Sequence, residues 1–281
     1  MYFFTIFSIN MFTTSSFYAI MFTNTGSFIE IVFNYPAAPK FMIYLKGRFV
    51  MENIYDKGFK RIFSNKAVLL HFLRRYLPEP WVKDLSEKDL VQVDKEFVLE
   101  NFQTRESDLV YQIRFGDGIL NFFLILELQS TVDQTMAFRL LNYGAEVTRR
   151  DVENTGRSGK KREGFQIPAI LPVVLYNGNR PWTAAPCLEA LQRGPDTVKG
   201  NLNLKYHLID IRRLPETFLL EGGTLLECVF LMDRSIGRCD LRKNAEKAKS
   251  ILQNLNNEEW RELTLWVRDG LSKRIKDFNF K

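Results

Sequence analysis

The chain has 281 residues, and its content of 46% hydrophobic and 26% charged residues excludes collagen-like, coiled-coil and wholly disordered proteins. Lys and Arg outnumber Asp and Glu by 39 to 33, so the net charge of +6 permits a polyanionic partner without requiring one. The three cysteines have no CxxC spacing, which argues against a disulfide framework or a cysteine-bound zinc and favours a reducing, cytoplasmic compartment.

Residues 1–50 differ in character from the rest of the chain, because no charged residue occurs between Met1 and Ile29. The basic segment of a secretory signal is missing, and polar residues interrupt Met1–Phe22 too often for a good membrane span. We therefore interpret residues 1–50 as an apolar extension outside the core, with translation starting at Met51, and expect no membrane partner. The alternatives are a membrane anchor and an additional strand or helix.

After Met51 the hydrophobic patterns follow the order helix, three strands, helix, strand. A helix is predicted over Lys66–Leu77, with Asn65 as its N-cap and Pro78 as its end. This order predicts an α/β domain over residues 51–214, in which helices flank a central mixed sheet, followed by a helical region over 215–281. The other elements are strands at Val91–Leu99, Ser107–Phe115 and Ile119–Gln129, a helix at Asp133–Arg150, a basic loop at Thr155–Gly164, and strands at Ile167–Tyr176 and Tyr206–Ile211.

A hairpin between the second and third strands brings two acidic residues together. The segment 116–118 (Gly-Asp-Gly) separates these strands, and Asp-Gly between apolar runs is typical of a two-residue turn. Such a turn places Asp108 opposite Glu127, with their Cβ atoms about 5 Å apart. Gln129 then projects to the same face as Glu127. A three-residue loop would instead put the two carboxylates on opposite faces.

Two carboxylates that face each other across strands repel, and removing them from water is costly unless another group compensates. A hard divalent cation such as Mg²⁺ provides this compensation, because it takes oxygen ligands and neutralises charge on a phosphodiester under attack. The pair Asp108 and Glu127 therefore indicates a metal site. The alternative is that Asp108 caps its strand while Glu127 reaches solvent or an arginine.

Short segments of the chain carry a resemblance to a known family. They are Tyr55–Lys60, Ser107–Tyr111, Leu126–Ser130, Phe138–Leu141, and Val174–Gly178 with Pro181–Thr183. In this order they resemble the bacterial Rpn family, whose members are described as recombination-promoting nucleases or transposases of the YhgA-like group. The family belongs to the PD-(D/E)XK nuclease superfamily. The resemblance implies a restriction-endonuclease-like core and a metal-dependent DNA endonuclease linked to recombination or mobile DNA.

The resemblance also implies roles for individual residues. Ser107-Asp108 stands where the superfamily has Pro-Asp, and residues 127–129 (Glu-Leu-Gln) stand where it has (D/E)-x-Lys. Asp108 and Glu127 are thereby implied to bind the metal, with the carbonyl of Leu128 as an additional ligand. Gln129 takes the lysine position, where its amide can orient a water but supplies no positive charge. Another cation must supply that charge.

Three secondary candidates each have a structural alternative. Lys60 and Arg139 are the candidate cations; Lys60 is otherwise a surface lysine, and Arg139 otherwise forms a salt bridge with Glu146 or a neighbouring carboxylate. Asp56 is a third acidic ligand or, alternatively, the N-cap of a helix that begins near Lys57.

DNA is the expected partner. The basic cluster Lys160, Lys161 and Arg162 either contacts phosphates or belongs to a solvated loop. Tyr176 and Trp182 are expected to pack in the core rather than to stack on bases. Cutting both strands of a duplex would call for a homodimer, although no motif specifies one. The two functional hypotheses are a divalent-metal-dependent DNA endonuclease and a non-catalytic nucleic-acid or partner-binding module on the same fold.

Overall fold

The structure is a computed structural model that describes residues 16–22, 28–34, 42–45, 54–93, 109–115 and 120–271. Within these ranges, side chains are described from Gly58 onward, except at positions 115, 120–122, 157, 158 and 269. The chain divides into two compact units, of which one is Phe59–Leu214 and the other combines Met1–Gly58 with Pro215–Lys281.

The unit Phe59–Leu214 is built on a mixed five-stranded sheet. Its strands are β4 (Leu90–Gln92), β5 (Leu109–Phe115), β6 (Leu120–Gln129), β7 (Ala169–Tyr176) and β8 (His207–Asp210). They lie side by side in chain order. The first three are antiparallel neighbours, whereas β6, β7 and β8 run parallel. This arrangement confirms the predicted α/β class with a central mixed sheet.

The hairpin of β5 and β6 has the register that a two-residue turn predicts. Leu109 pairs with Leu126, and Val110 pairs with Ile125. Side chains alternate between the two faces of a strand, so Val110 and Ile125 share one face while Tyr111 lies on the other. The strand predicted at Val91–Leu99 is described only as far as β4, and its remaining residues lie outside the described ranges.

Helices cover both faces of this sheet. Helix α1 (Ile54–Ser64) ends next to one face, where the hydroxyl of Tyr111 donates a 2.7 Å hydrogen bond to the carbonyl of Phe63. Helix α2 (Lys66–Tyr76) follows directly and confirms the predicted start. The Asn65 side chain caps it, because its Oδ1 atom accepts hydrogen bonds from the backbone amides of Ala67 at 2.9 Å and Val68 at 3.4 Å.

Helix α3 (Met136–Asn154) packs on the opposite face of the sheet. It begins three residues later than predicted, because residues 133–135 form a turn that leads into it. Its buried residues Met136, Ala137 and Leu140 pack against Ile125 of β6 and Val174 of β7. The buried face of this helix therefore points into the core, and Arg139 in its first turns reaches Glu127 on β6.

The basic loop predicted at Thr155–Gly164 contains a short helix, α4 (Gly156–Lys160), and the prediction of a loop throughout was wrong. Gly156 has a φ of +72°, which breaks α3 and redirects the chain. A short helical turn then continues to Lys160. Gly164, with a φ of +78°, ends the segment.

The second unit contains strands near the start of the chain and helices near its end. The strands β1 (Ser16–Phe22), β2 (Phe28–Asn34) and β3 (Met42–Leu45) form an antiparallel sheet in this order. The helices are α5 (Glu216–Gly222), α6 (Leu225–Asp233), α7 (Arg238–Lys247), α8 (Lys249–Asn254) and α9 (Asn257–Trp266), followed by a wide helical turn at Val267–Leu271. In the part of the chain that the structure covers, no helix combines the length and the apolar character needed to cross a membrane.

A candidate active site at the carboxyl end of the sheet

Glu127 lies near the carboxyl end of β6 and is fully buried, with 0% of its surface exposed. It shares a sheet face with Ile125 and, through the parallel pairing, lies beside Val174 of β7. Burying a carboxylate among apolar neighbours is costly unless charged or hydrogen-bonding groups compensate. The structure supplies two such groups, Gln129 and Arg139.

Both groups meet the same oxygen of Glu127. Gln129 is two residues along the strand, projects to the same face and donates a hydrogen bond from Nε2 to Oε1. Arg139 reaches over from α3 and places its Nη2 atom 2.6 Å from Oε1. The alternative in which Glu127 reaches an arginine is therefore what the structure shows.

Arg139 bridges two carboxylates. Its Nη1 atom lies 2.8 Å from Oδ2 of Asp133, so each end of the guanidinium contacts a different acid. Its Nη2 atom also lies 3.4 Å from the hydroxyl of Tyr143, one helical turn further along. Only 16% of the Arg139 side chain is exposed. The predicted salt bridge to a neighbouring carboxylate is confirmed, but the acid is not Glu146.

Glu146 has its own pair of arginines. Nη2 of Arg149 lies 2.6 Å and Nε of Arg150 3.0 Å from Oε1 of Glu146. The hydrogen bond from Arg149 is the main reason that the pKa of Glu146 falls to about 2; burial opposes the fall, and Arg150 adds to it. This group stabilises α3 and lies apart from the contacts of Glu127.

Sequence reasoning missed Asp133. Its Oδ1 atom accepts hydrogen bonds from the backbone amide of Thr135 at 2.9 Å and from the Thr135 hydroxyl at 2.6 Å, while Oδ2 accepts from Arg139. Burial would raise the pKa of Asp133, but the hydrogen bonds from Thr135 and Arg139 outweigh it and hold that pKa below its usual value. The signal in the sequence is an Asp-x-Thr turn immediately before a helix.

The loop after β7 lies at the carboxyl ends of the parallel strands and is hydrogen-bonded to the end of β6. The amide of Asn177 donates to the carbonyl of Gln129 at 3.0 Å, and Nε of Arg212 donates to the carbonyl of Asn177 at 2.8 Å. A Cβ atom on Gly178 would lie 2.2 Å from the hydroxyl oxygen of Tyr176, so this close approach requires glycine. The hydrogen bond from Asn177 thereby fixes the end of β6, which carries Glu127 and Gln129, against the end of β7.

The aromatic residues Tyr176 and Trp182 belong to the core, as predicted. Tyr176 is 1% exposed and packs edge-to-face on Trp182, with ring centroids 4.9 Å apart. Trp182 in turn donates a 3.0 Å hydrogen bond from Nε1 to the hydroxyl of Tyr206. These rings fill space between the sheet and the loop, and Tyr176 has almost no exposed surface on which a base could stack.

The other predicted residues have different outcomes. Asp108 lies outside the described residues, so the facing pair with Glu127 stays a prediction. Asp56 is the third residue of α1, which begins at Ile54; the predicted N-cap role was therefore wrong, and the Asp56 side chain lies outside the described part. Lys60 is half-buried in the middle of α1, the helix that ends against the sheet face opposite to Glu127.

The basic cluster Lys160, Lys161 and Arg162 is exposed at the end of α4 and in the turn after it. This position is compatible with phosphate contact and with a solvated surface. Leu128 is buried on β6, and its carbonyl points away from β7, because successive carbonyls of a strand point to opposite sides and that of Gln129 faces β7.

Carboxylate and carbonyl oxygens, such as those of Glu127 and Leu128, are the kind of ligand that Mg²⁺ prefers. Glu127 is the member of the predicted pair that lies in the described ranges. Within those ranges, no three His, Cys, Asp or Glu side chains converge as a metal site would require. The site therefore combines the buried acid Glu127, the amide of Gln129 and the guanidinium of Arg139.

Comparison with known proteins gives several similarities. Residues 53–262 match the family described as "Putative transposase, YhgA-like". Recombination-promoting nuclease RpnD of Escherichia coli O157:H7 is 25% identical over 177 residues, which cover 62% of this chain and 64% of that protein. Recombination-promoting nuclease RpnC of Escherichia coli strain K12 is 21% identical over 200 residues, which cover 70% of this chain and 63% of that protein.

A relative named as inactive is also similar. The inactive recombination-promoting nuclease-like protein RpnE of Escherichia coli strain K12 is 25% identical over 125 residues, which cover 44% of this chain and 39% of that protein. The chain thus spans less than two thirds of the length of each of these three relatives. No solved structure matches the chain.

Proposed function

The chain belongs to the YhgA-like transposase family, and from this premise we propose that it is a divalent-metal-dependent DNA endonuclease with a PD-(D/E)XK core. The relatives named recombination-promoting nucleases support a nuclease role linked to recombination. The observation that carries the proposal is the fully buried Glu127, held by Gln129 and Arg139 at the carboxyl end of β6. An acid at the protein surface is solvated by water and, unlike the buried Glu127, does not require such partners.

The proposed metal ligands are Asp108, Glu127 and the carbonyl of Leu128. The register of β5 and β6 supports the pair of acids, because Leu109 pairs with Leu126 and one further pair in the same register would be Asp108 with Glu127. The Leu128 carbonyl points toward the β5 side of β6, which is the side of Asp108 in that register. Oxygen ligands from two strands and one carbonyl would leave room for waters and a phosphate.

A bound Mg²⁺ would polarise the phosphodiester and help to ionise an attacking water. The protein's own residues then have distinct tasks. Gln129, an uncharged amide, would orient the attacking water by accepting or donating a hydrogen bond. Arg139 would stabilise the negative charge that develops on the phosphate, because a guanidinium offers several directed donors to an oxyanion.

The substrate is proposed to be DNA. The exposed cluster Lys160, Lys161 and Arg162 is the proposed backbone contact, and its removal would weaken binding in a salt-dependent manner. A homodimer would provide two sites for cutting both strands of a duplex. Sedimentation of the purified protein with and without DNA tests that assembly.

The test is a cleavage assay on plasmid DNA with Mg²⁺. We expect Glu127→Gln and Asp108→Asn each to lower the cleavage rate about 100-fold or more, because each removes a charged ligand. Glu153→Gln, a change to an acid on α3 whose side chain is 55% exposed, is the matched control and should keep wild-type activity. Circular dichroism establishes that each variant is folded. Cleavage that survives both site substitutions would overturn the proposal.

A non-catalytic binding module is the second candidate, and two observations favour it. One similar protein is named inactive, and the carboxylate of Glu127 already makes an ion pair with Arg139. This candidate expects DNA binding that is sensitive to salt but indifferent to Mg²⁺ and to Glu127→Gln. Fluorescence anisotropy with labelled duplex DNA, run beside the cleavage assay, distinguishes the two.

A further inference from the structure

The guanidinium of Arg139 is held at both ends. Nη2 contacts the fully buried Glu127 at 2.6 Å, and Nη1 contacts Asp133 at 2.8 Å. The two acids belong to different elements, because Glu127 is on β6 and Asp133 is in the turn before α3. An arginine side chain has many rotamers. A guanidinium bound at one end only would keep much of this rotational freedom.

Asp133 is itself fixed by its surroundings. One carboxylate oxygen accepts two hydrogen bonds from Thr135, and the other faces Arg139. The backbone amide of Met136 also donates to the carbonyl of Asp133 at 3.2 Å, which ties the same residue to the first turn of α3. Asp133 therefore presents one oxygen to Arg139 in a defined direction.

We propose that Asp133 is a positioning residue, which holds the guanidinium of Arg139 over Glu127 and Gln129 so that it can act on a phosphate. This inference deepens the proposed function and rests on it. Asp133 contacts neither Glu127 nor Gln129 in the structure, and it acts through Arg139. A lysine at position 139 has a single ammonium group, so it would not reproduce the two-ended contact.

The first arm of the test substitutes the two residues that build this support. Asp133→Asn should lower kcat about 10- to 100-fold and leave KM for DNA within about twofold, since a misplaced cation harms the reaction more than binding. Thr135→Val keeps the backbone amide but removes the hydroxyl, and it should lower kcat less. Asp151→Asn, the same chemical change near the end of α3, is the control and should leave kcat unchanged.

The second arm uses chemical rescue. In Arg139→Ala, millimolar guanidinium chloride should restore part of the lost cleavage, because two carboxylates remain to hold the free cation. The rescue should disappear in the double variant Arg139→Ala with Asp133→Asn. Sodium chloride at the same ionic strength controls for salt effects. Equal rescue in both backgrounds, or an unchanged kcat in Asp133→Asn, would overturn the role of Asp133.

A third arm does not depend on cleavage. The side-chain ¹⁵N resonances of Arg139, assigned by comparison with Arg139→Lys, should show restricted rotation of the guanidinium in the wild type and freer rotation in Asp133→Asn. A wild type that fails to cut DNA refutes the proposed function. Identical guanidinium dynamics in the two proteins refute the positioning role itself, so the two failures are distinguishable.

Discussion

The Nη2 atom of Arg139 lies 2.6 Å from Oε1 of Glu127, and this contact joins helix α3 to strand β6 across twelve residues of sequence. Glu127 has no exposed surface, so its charge is stabilised almost entirely by neighbouring groups. Breaking a buried ion pair by removing one partner leaves the other charge uncompensated, which costs more than the pair contributes. The contact therefore has consequences for folding as well as for the proposed reaction.

Arg139→Ala should lower the free energy of unfolding by about 3 kcal/mol, because it leaves the Glu127 carboxylate buried without its cation. Adding Glu127→Gln to the same chain should recover part of this loss, since the amide carries no charge. Urea denaturation of the single and double variants measures both effects. Arg242→Ala, at an exposed position of α7, is the control and should change stability by less than about 0.5 kcal/mol. A double variant as unstable as the sum of the singles would contradict the pairing.

Glu146 should make stability depend on pH in the acidic range. Hydrogen bonds from Arg149 first, and also from Arg150, against the opposing effect of burial, lower its folded-state pKa from 4.5 to about 2. The stabilisation is therefore complete above about pH 4.5 and is lost as the pH falls toward 2. Melting temperatures of the wild type and Glu146→Gln should differ at pH 6 and converge near pH 2. A difference that is undiminished at pH 2 would contradict this origin.

Gly178→Ala should destabilise the unit by about 2 kcal/mol or more, because the new Cβ would lie 2.2 Å from the hydroxyl oxygen of Tyr176 and the ring is fully packed. Gly237→Ala is the matched control, since nothing lies within 4 Å of a Cβ there. That control should cost less than about 1 kcal/mol. Equal losses in the two variants, measured by thermal unfolding, would show that the close approach is not tight.

Tyr111→Phe should cost about 1–2 kcal/mol at neutral pH, because it removes the 2.7 Å hydrogen bond to the buried carbonyl of Phe63. Burial raises the pKa of Tyr111 from 10.0 to about 12. The folded state therefore keeps this proton when the unfolded state has lost it, and wild-type stability should fall between pH 10 and 12. Tyr111→Phe has no hydroxyl at this position, so its stability should lack the part of the fall that Tyr111 causes. Phenolate absorbance from Tyr111 at pH 10 would contradict the prediction.

Local sequence was enough to predict the elements that local interactions stabilise. Asn65 caps α2 as expected, since the capping atoms lie within three residues of one another. The register of β5 and β6 is the one that the Asp-Gly signal predicts, and the alternation of side chains along β6 places Glu127 on the face of Ile125. The start of α3 was predicted too early, because the hydrogen bonds between Asp133 and Thr135 favour a turn over a helix at that point.

The sequence by itself therefore determined the order of the five strands of the central sheet with helices α2 and α3 beside them, the hairpin register and the acid on β6. Only the tertiary structure decided which groups meet that acid. Helix α3 packs on the sheet through Met136, Ala137 and Leu140, and this docking brings Arg139 rather than another basic residue to Glu127. The same docking made Asp133 a neighbour of that arginine, which no spacing rule along the chain could indicate.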